Sequence, residues 1–405
     1  MEKAKIQFIS GGTVTSPAGF LAGAVHAGIK DKKDKLDLGA LYSEAPCVTA
    51  GIFTNSKIVS APVILCRERI KTGRSVAIVV NSGCSNSYTG EQGLADAAEM
   101  AQLFADGIGA VPEDVMMAST GVTGQLLPMD AIRDGIGKIA LDQDGGHHLA
   151  NAIMTTDTVP KEVAVSVKDD DNEFTIGGIA KGSGMIHPDM ATMFCFLTTD
   201  AAVELGFLKL ALKKAADVSL NMISVDGDTS PSDTVLLMAN GLAGNNTITE
   251  GSPLAGAFQQ ALEEVCIYLA KKLARDGEGA TRLIEVKVEG ARNDVEAKMA
   301  AKVVIGSTLV KTAVYGGDPN WGRIIMALGH GGFDVKLEQI DLSIGEIEVL
   351  KAGKPLPFEE AGIIKIFKQE EVPISINLNS GTASATAWGC DLSEDYVVIN
   401  SQYMT

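Results

Sequence analysis

Residues 181–192 read KGSGMIHPDMAT and run into the apolar stretch MFCFLTTD, which leaves the Thr192 hydroxyl between a small residue and a hydrophobic segment. A threonine hydroxyl is a poor nucleophile until a base takes its proton. One economical base is the residue's own α-amino group, whose pKa is near ~8 when free. Thr192 has that group only if the bond between Ala191 and Thr192 is cut. The chain can cut it without help: the hydroxyl attacks the Ala191 carbonyl, the acyl group shifts from nitrogen to oxygen, and water hydrolyses the ester. Small Ala191 leaves that carbonyl open, the glycines of KGSG permit tight turns, and Pro188 restricts the approach. The competing reading is that the dipeptide simply begins a β-strand, a conformation threonine favours.

Other chemistry-bearing patterns are weaker. KGSGMIH supplies two glycines of a dinucleotide loop but has His187 in place of the third, with no strand expected to abut it, and no GxxxxGK[ST] phosphate loop occurs. ISVDGDTSPSD at 223–233 ends an apolar run in Asp226-x-Asp228-Thr229, the layout of a phosphatase nucleophile and acid. It lies mid-chain and lacks an evident later lysine and acidic pair, so it reads as a turn built on Asp and Gly. The five histidines form no spaced ligand set, and no metal site is expected.

The elements that must position these residues alternate without a strict βαβ rhythm. VAIVVN at 76–81 is a buried strand, followed by a turn and a helix that Thr89 caps, with Gln92 closing a capping box. Leu94, Ala98, Ala101 and Phe104 mark its apolar face. A second helix starts with Ser252 as N-cap and Pro253 at its first position. It buries Leu254, Phe258, Leu262, Val265, Leu269 and Leu273, and stops at Gly277. Near the C-terminus Ile374, Ile376 and Leu378 alternate before the turn at 379–381, and TASATAWGC returns as a hairpin partner. The fold class is α/β (α+β), a layered sandwich of β-sheets flanked by helices.

The bulk numbers narrow the class of function. The 405 residues exceed one ordinary core, and a net charge of −17 argues against a nucleic-acid binder or a protein docked on an anionic membrane. No apolar run approaches the roughly 20 residues that span a bilayer, and the N-terminal stretch lacks the apolar core of a signal peptide. The six cysteines (47, 66, 84, 195, 266 and 390) are scattered, several in apolar runs, as expected of reduced core residues in a cytoplasmic protein.

Several stretches, in order along nearly the whole chain, resemble the ornithine acetyltransferase family, the glutamate N-acetyltransferases of arginine biosynthesis. They are EAPCVTAGIFTNS, NSGCSNSYTGEQGLADA, STGVTGQLLPMD, IMTTDTVPKE, KGSGMIHPDMATMFCFLTTDA, SVDGDTSPSDTV, DGEGATR, GGDPNWGRI and VVINSQYMT. The resemblance implies Thr192 as nucleophile and a self-cleavage between Ala191 and Thr192, giving an α chain of residues 1–191 and a β chain of 192–405. It implies Thr120 and Gly121 as the oxyanion hole, and Thr155, Lys181, Thr192, Glu278, Asn400 and Thr405 as substrate-binding residues. By residue type alone, 119–121 is a polar turn, Lys181 a solvated loop cation, Thr155 a strand residue and Glu278 a charge past a helix end. The apolar VVI before Asn400 suggests a docked strand. The stretch DPNWGR at 318–323 has no assigned role beyond a buried Trp321 and a turn.

The implied fold is a self-cleaving, N-terminal-nucleophile-type sandwich whose halves stay together as α2β2. The implied reaction moves acetyl from N2-acetylornithine to glutamate through an acetyl-threonine. It needs no cofactor, and acetyl-CoA as a second donor is left open. Two departures from the family pattern stand close to the nucleophile: Asp189 where asparagine is usual and Phe194 where leucine is common. Two readings from other classes remain, a self-processed aminopeptidase of related fold and a non-catalytic amino-acid-binding relative.

Overall fold

The computed structural model describes residues 4–30, 34–169, 172–187 and 193–402. Two β-sheets organise these residues. The first has nine strands among the described residues. Its main path runs Lys5–Phe8, Lys161–Asp169, Asn172–Lys181, Phe194–Thr199, Thr234–Ala239, Leu38–Phe53, Arg74–Cys84 and Val115–Val122, and Phe20–Val25 pairs beside Leu38–Phe53. The second has seven, in the order Lys354–Pro355, Ile347–Lys351, Asp341–Ile344, Glu371–Asn377, Leu283–Ala291, Ala383–Cys390 and Ile223–Ser224.

Strands buried on both faces read as continuous apolar runs, and Phe194–Thr199 and Thr234–Ala239 at the centre of the first sheet are buried at every position. Helices Ala61–Arg69 and Gly90–Ile108 pack on Val115–Val122. Helix Ala255–Arg275 packs on Lys161–Asp169 and Asn172–Lys181, and also reaches Ala383–Cys390 of the second sheet. One apolar core therefore joins that helix to both sheets, and another lies under Gly90–Ile108.

The first sheet takes strands from both sides of the bond between Ala191 and Thr192. Phe194–Thr199 runs antiparallel to Asn172–Lys181, and Thr234–Ala239 antiparallel to Leu38–Phe53. Among the described residues, strands from after that bond thus lie between strands from before it within the first sheet, while every strand of the second sheet comes from after it.

Several expectations need correction. Helix Gly90–Ile108 forms no capping box: the Thr89 hydroxyl donates to Asn86 Oδ1 (2.7 Å) and Gln92 Nε2 to Asp96 Oδ1 (2.7 Å), so local side chains outcompete the helix end. Its buried face runs through Gly93, Ala97, Met100, Ala101 and Phe104, with Leu94 and Ala98 only half-buried. The second helix spans Ala255–Arg275, because Ser252 is engaged in a turn with its hydroxyl on the Thr249 carbonyl (3.0 Å). The expected C-terminal hairpin does not form: Leu283–Ala291 inserts between the two strands, parallel to Glu371–Asn377 and antiparallel to Ala383–Cys390. Alternation names a strand's buried face and leaves its partner open. The expected strand before Asn400 is a helix, Glu394–Gln402, with Val397 and Val398 exposed. All six cysteines are buried free thiols.

Candidate functional site

The C-terminal ends of parallel strands Arg74–Cys84 and Val115–Val122 form one wall of the site. Residues 119–121 lie near the C-terminal end of the second of these strands and are not the turn their residue types suggest. Gly121 has φ of 123°, and a Cβ there would stand 2.4 Å from the Gly83 carbonyl carbon. Only glycine fits, for reasons of both dihedral and space.

Lys181 is also no loop cation. It ends strand Asn172–Lys181, is buried, and its Nζ donates to the Thr120 hydroxyl oxygen at 3.2 Å. The same ammonium lies 6.0 Å from the Phe194 ring centroid, across the Lys181–Phe194 register pair. Burial lowers its pKa, against the opposing pull of the Asp157 charge.

Residues 182–187 leave this strand through a pinned turn. Gly182 has φ of 145° and its N–H donates to Asp157 Oδ1 at 2.7 Å. The Asp226 carboxylate accepts from the N–H groups of Met185 (2.5 Å) and Ile186 (2.9 Å). The Asp226 turn therefore anchors the segment leading to 188–192 and is no phosphatase pair. Asp226 also meets the Tyr396 hydroxyl at 3.4 Å, and burial, aided by Asp226, raises that phenol's pKa.

Glu278 lies just past the end of helix Ala255–Arg275 and is buried. A Cβ on Gly184 would meet its carboxylate carbon at 2.4 Å, so the glycine admits the acid to the site. Asn400 Nδ2 donates to Glu278 Oε2 at 2.7 Å, which fixes helix Glu394–Gln402 over this corner. Thr155 sits in a bend after helix Gly145–Ala152, where its N–H donates to Asp157 Oδ2 at 3.0 Å.

These residues converge. Thr120, Gly121, Thr155, Lys181, Glu278 and Asn400 all line one cavity of about 90 Å³. Thr192, Ala191 and Thr405 lie outside the described residues, as does Asp189. On the near side of the expected cleavage bond the described chain reaches His187. On the far side the Met193 carbonyl accepts from the Thr234 N–H at 3.1 Å, two residues from Ser232 in the cavity wall. Ser85, Thr123, Thr156, Ser230 and Ser232 complete the hydroxyl-rich part of a lining that the sequence motifs did not single out as site residues. They lie inside the quoted motifs, but a motif does not say which of its hydroxyls face inward.

Under the cavity lies a buried charge cluster that sequence reasoning missed. Lys161 Nζ is 2.6 Å from both Asp157 Oδ1 and Asp276 Oδ2. Asp276 in turn accepts from Thr158 N–H and hydroxyl. Burial alone would raise the Asp157 pKa; the charges of Lys161 and Lys181 and the hydrogen bonds from Lys161 and Gly182 outweigh it and hold the carboxyl far below its usual range. Lys30, whose ammonium donates to the carbonyls of Leu36 (2.9 Å) and Ala152 (3.3 Å), has its pKa lowered to about 8, chiefly by burial, with the Lys181 charge among the smaller causes. No group of three or more His, Cys, Asp or Glu suited to a metal ion occurs among the described residues.

Residues at 318–323 stand apart from the cavity. Arg323 pairs with Asp318 at 3.0 Å, and Trp321 is half-buried at the start of helix Gly322–Gly329, where full burial was expected.

The chain is similar to known proteins over nearly all its length. The model of the ArgJ family matches residues 21–405. An "Arginine biosynthesis bifunctional protein ArgJ" from Dehalococcoides mccartyi is 52% identical over 404 residues, covering 100% of both chains. One of the same name from Symbiobacterium thermophilum is 50% identical, covering 99% of this chain and 100% of its own. A crystal structure of arginine biosynthesis bifunctional protein argJ from Bacillus halodurans is 50% identical with a TM-score of 0.50, covering 98% of that chain but 52% of this one.

Proposed function

The chain belongs to the ArgJ family, and from that premise we propose that it is a glutamate N-acetyltransferase of arginine biosynthesis, moving acetyl from N2-acetylornithine to glutamate through Thr192. The observation that carries this reading is the cavity shared by Thr120, Gly121, Thr155, Lys181, Glu278 and Asn400, which a polar turn, a loop cation and a helix-end acid would have no reason to share.

The reaction begins with cleavage between Ala191 and Thr192, which frees the α-amino group as the base. The Thr192 hydroxyl attacks the acetyl carbonyl of N2-acetylornithine while that amine takes its proton. The oxyanion forms between the Thr120 hydroxyl and the Gly121 N–H, and two preorganised donors at such a site are worth roughly 10²–10³ in rate each. The Lys181 ammonium supports this arrangement: by donating to the Thr120 oxygen it leaves the hydroxyl hydrogen for the oxyanion. Collapse returns the proton to the departing ornithine amine. Glutamate then attacks the acetyl ester from the same pocket and regenerates Thr192. One amide becomes an ester and then an amide again, so no nucleotide energy enters.

Lys181 holds the α-carboxylate, and the buried Glu278 receives the distal ammonium of ornithine, with Thr155, Asn400 and Thr405 as the remaining substrate-binding residues. Interleaving of the first sheet supports processed halves that remain associated, in an α2β2 assembly. A relative's crystal chain nearly all of which matches about half of this chain also supports a cut near the middle. The bifunctional names of the relatives support acetyl-CoA as a second donor that makes N-acetylglutamate. Six buried free thiols support a cytoplasmic setting, and no helix of the described residues is long and apolar enough to cross a membrane.

The test is acetyl transfer from N2-acetylornithine to labelled glutamate, with initial rates at several fixed concentrations of each. Parallel double-reciprocal lines are expected of the acetyl-enzyme. Intersecting lines would sink the covalent mechanism, and peptide hydrolysis without glutamate acetylation would point to an aminopeptidase.

A further inference from the structure

We propose that Lys161 is a positioning residue that holds Asp157 and Asp276 to itself and so keeps Lys181 available as the cation for the substrate's α-carboxylate. The inference rests on the carboxylate-binding reading of Lys181 given above.

Two lysines are buried side by side at the floor of the site. Lys161 opens its strand opposite Ala180, and Lys181 is the next residue on the neighbouring strand. The two residues are 1% and 6% exposed, and buried ammonium groups need compensation. They obtain it differently. Lys161 takes both carboxylates at 2.6 Å and does not line the cavity. Lys181 lines the cavity, has no carboxylate within ion-pair distance among the described residues, and contacts the neutral Thr120 hydroxyl. A cation already paired at contact would have to give up that partner before it could take a substrate carboxylate.

Asp157 decides the outcome. It accepts from the N–H groups of Gly182 (2.7 Å) and Thr155 (3.0 Å), so it lies between the two lysines, and its charge acts on Lys181 without contact. Asp233, Glu278 and Lys161 are the other groups whose charges reach Lys181 most strongly. With Lys161 removed, Asp157 would be a buried carboxylate whose nearest remaining cation is Lys181. Their pairing would occupy the ammonium that the substrate needs. The triad also fastens three cavity-lining segments together, because Asp157 holds 155 and 182 while Asp276, two residues before Glu278, holds Thr158.

A substrate-by-variant cycle separates this role from plain scaffolding. Processed wild type, Lys161→Met and Lys181→Met are assayed with N2-acetylornithine and with the acetylated diamine that lacks its α-carboxylate. Loss of a charge-assisted contact predicts a roughly 10–100-fold lower kcat/KM with N2-acetylornithine in both variants, mostly in KM. With the diamine donor, Lys161→Met should stay within about twofold of wild type, while Lys181→Met should keep only the loss that its Thr120 contact accounts for, at least about tenfold smaller than its loss with N2-acetylornithine. Lys161→Arg, which keeps the charge, should stay near wild type. Lys161→Gln, which can still donate a hydrogen bond, replaces Lys161→Met if that variant does not fold, and the same outcome is expected. Equal losses on both donors for Lys161→Met, beside a carboxylate-selective loss for Lys181→Met, would overturn the inference and leave the Lys181 reading standing. Equal losses on both donors for Lys181→Met would overturn that reading and the inference with it.

Discussion

The floor of the cavity and the second sheet solve burial in opposite ways. In the second sheet, Ile284, Val286 and Val288 alternate with Glu285, Lys287 and Glu289, so apolar side chains go inward while charges stay at or near the surface. At the cavity floor, Asp157, Lys161, Lys181 and Asp276 are all buried and are tolerated only because each finds a partner. The sheet is held by area removed from water, which forgives small changes of shape. The cavity floor is held by contacts that lose much when one member goes.

That difference can be broken at graded sites. Gly121→Ala should have the largest effect, since its Cβ has no room beside Gly83 and the N–H must move. A loss of roughly 10²–10³ in kcat is expected, read from acetyl transfer by processed protein with native circular dichroism. Retained activity would remove Gly121 from the reaction.

The next effect is in acid. A carboxyl whose folded pKa is depressed contributes stability that is fully present above its unfolded pKa of about 3.9 and is lost as pH falls through the folded value. Asp157→Asn should therefore flatten the fall in unfolding free energy below about pH 4, by up to about 1.4 kcal/mol per pH unit. Denaturant titrations at stepped pH read it, and unchanged slopes would mean that Asp157 is not held ionised.

Ile284→Val, in the second sheet, should cost about 0.5–1.5 kcal/mol at every pH and leave kcat within about twofold. A loss of catalysis there would deny the division between the regions. Lys287→Ala removes a half-exposed pair with Glu289 and should shift stability by less than about 0.5 kcal/mol.

The same contrast explains what the sequence made legible. Periodicity showed the buried faces of helix Ala255–Arg275 and of strand Glu371–Asn377, because burial of area leaves a pattern in residue type. It could not show that Leu283–Ala291 would lie between the last two long strands, since alternation is indifferent to the neighbour. The cavity residues were legible through resemblance, and Thr120, Lys181 and Glu278 by type alone pointed elsewhere. Lys161 and Asp276 were illegible: they are 115 positions apart, and no local spacing encodes a pair that only the packed sheet and helix bring to 2.6 Å.

The central claim is that Thr192 becomes an N-terminal nucleophile, and the intact mass of the denatured protein tests it most directly, beside Thr192→Ala. The account predicts two wild-type fragments that meet at Ala191 and Thr192, and one full-length chain in the variant. A single uncut wild-type chain would contradict it.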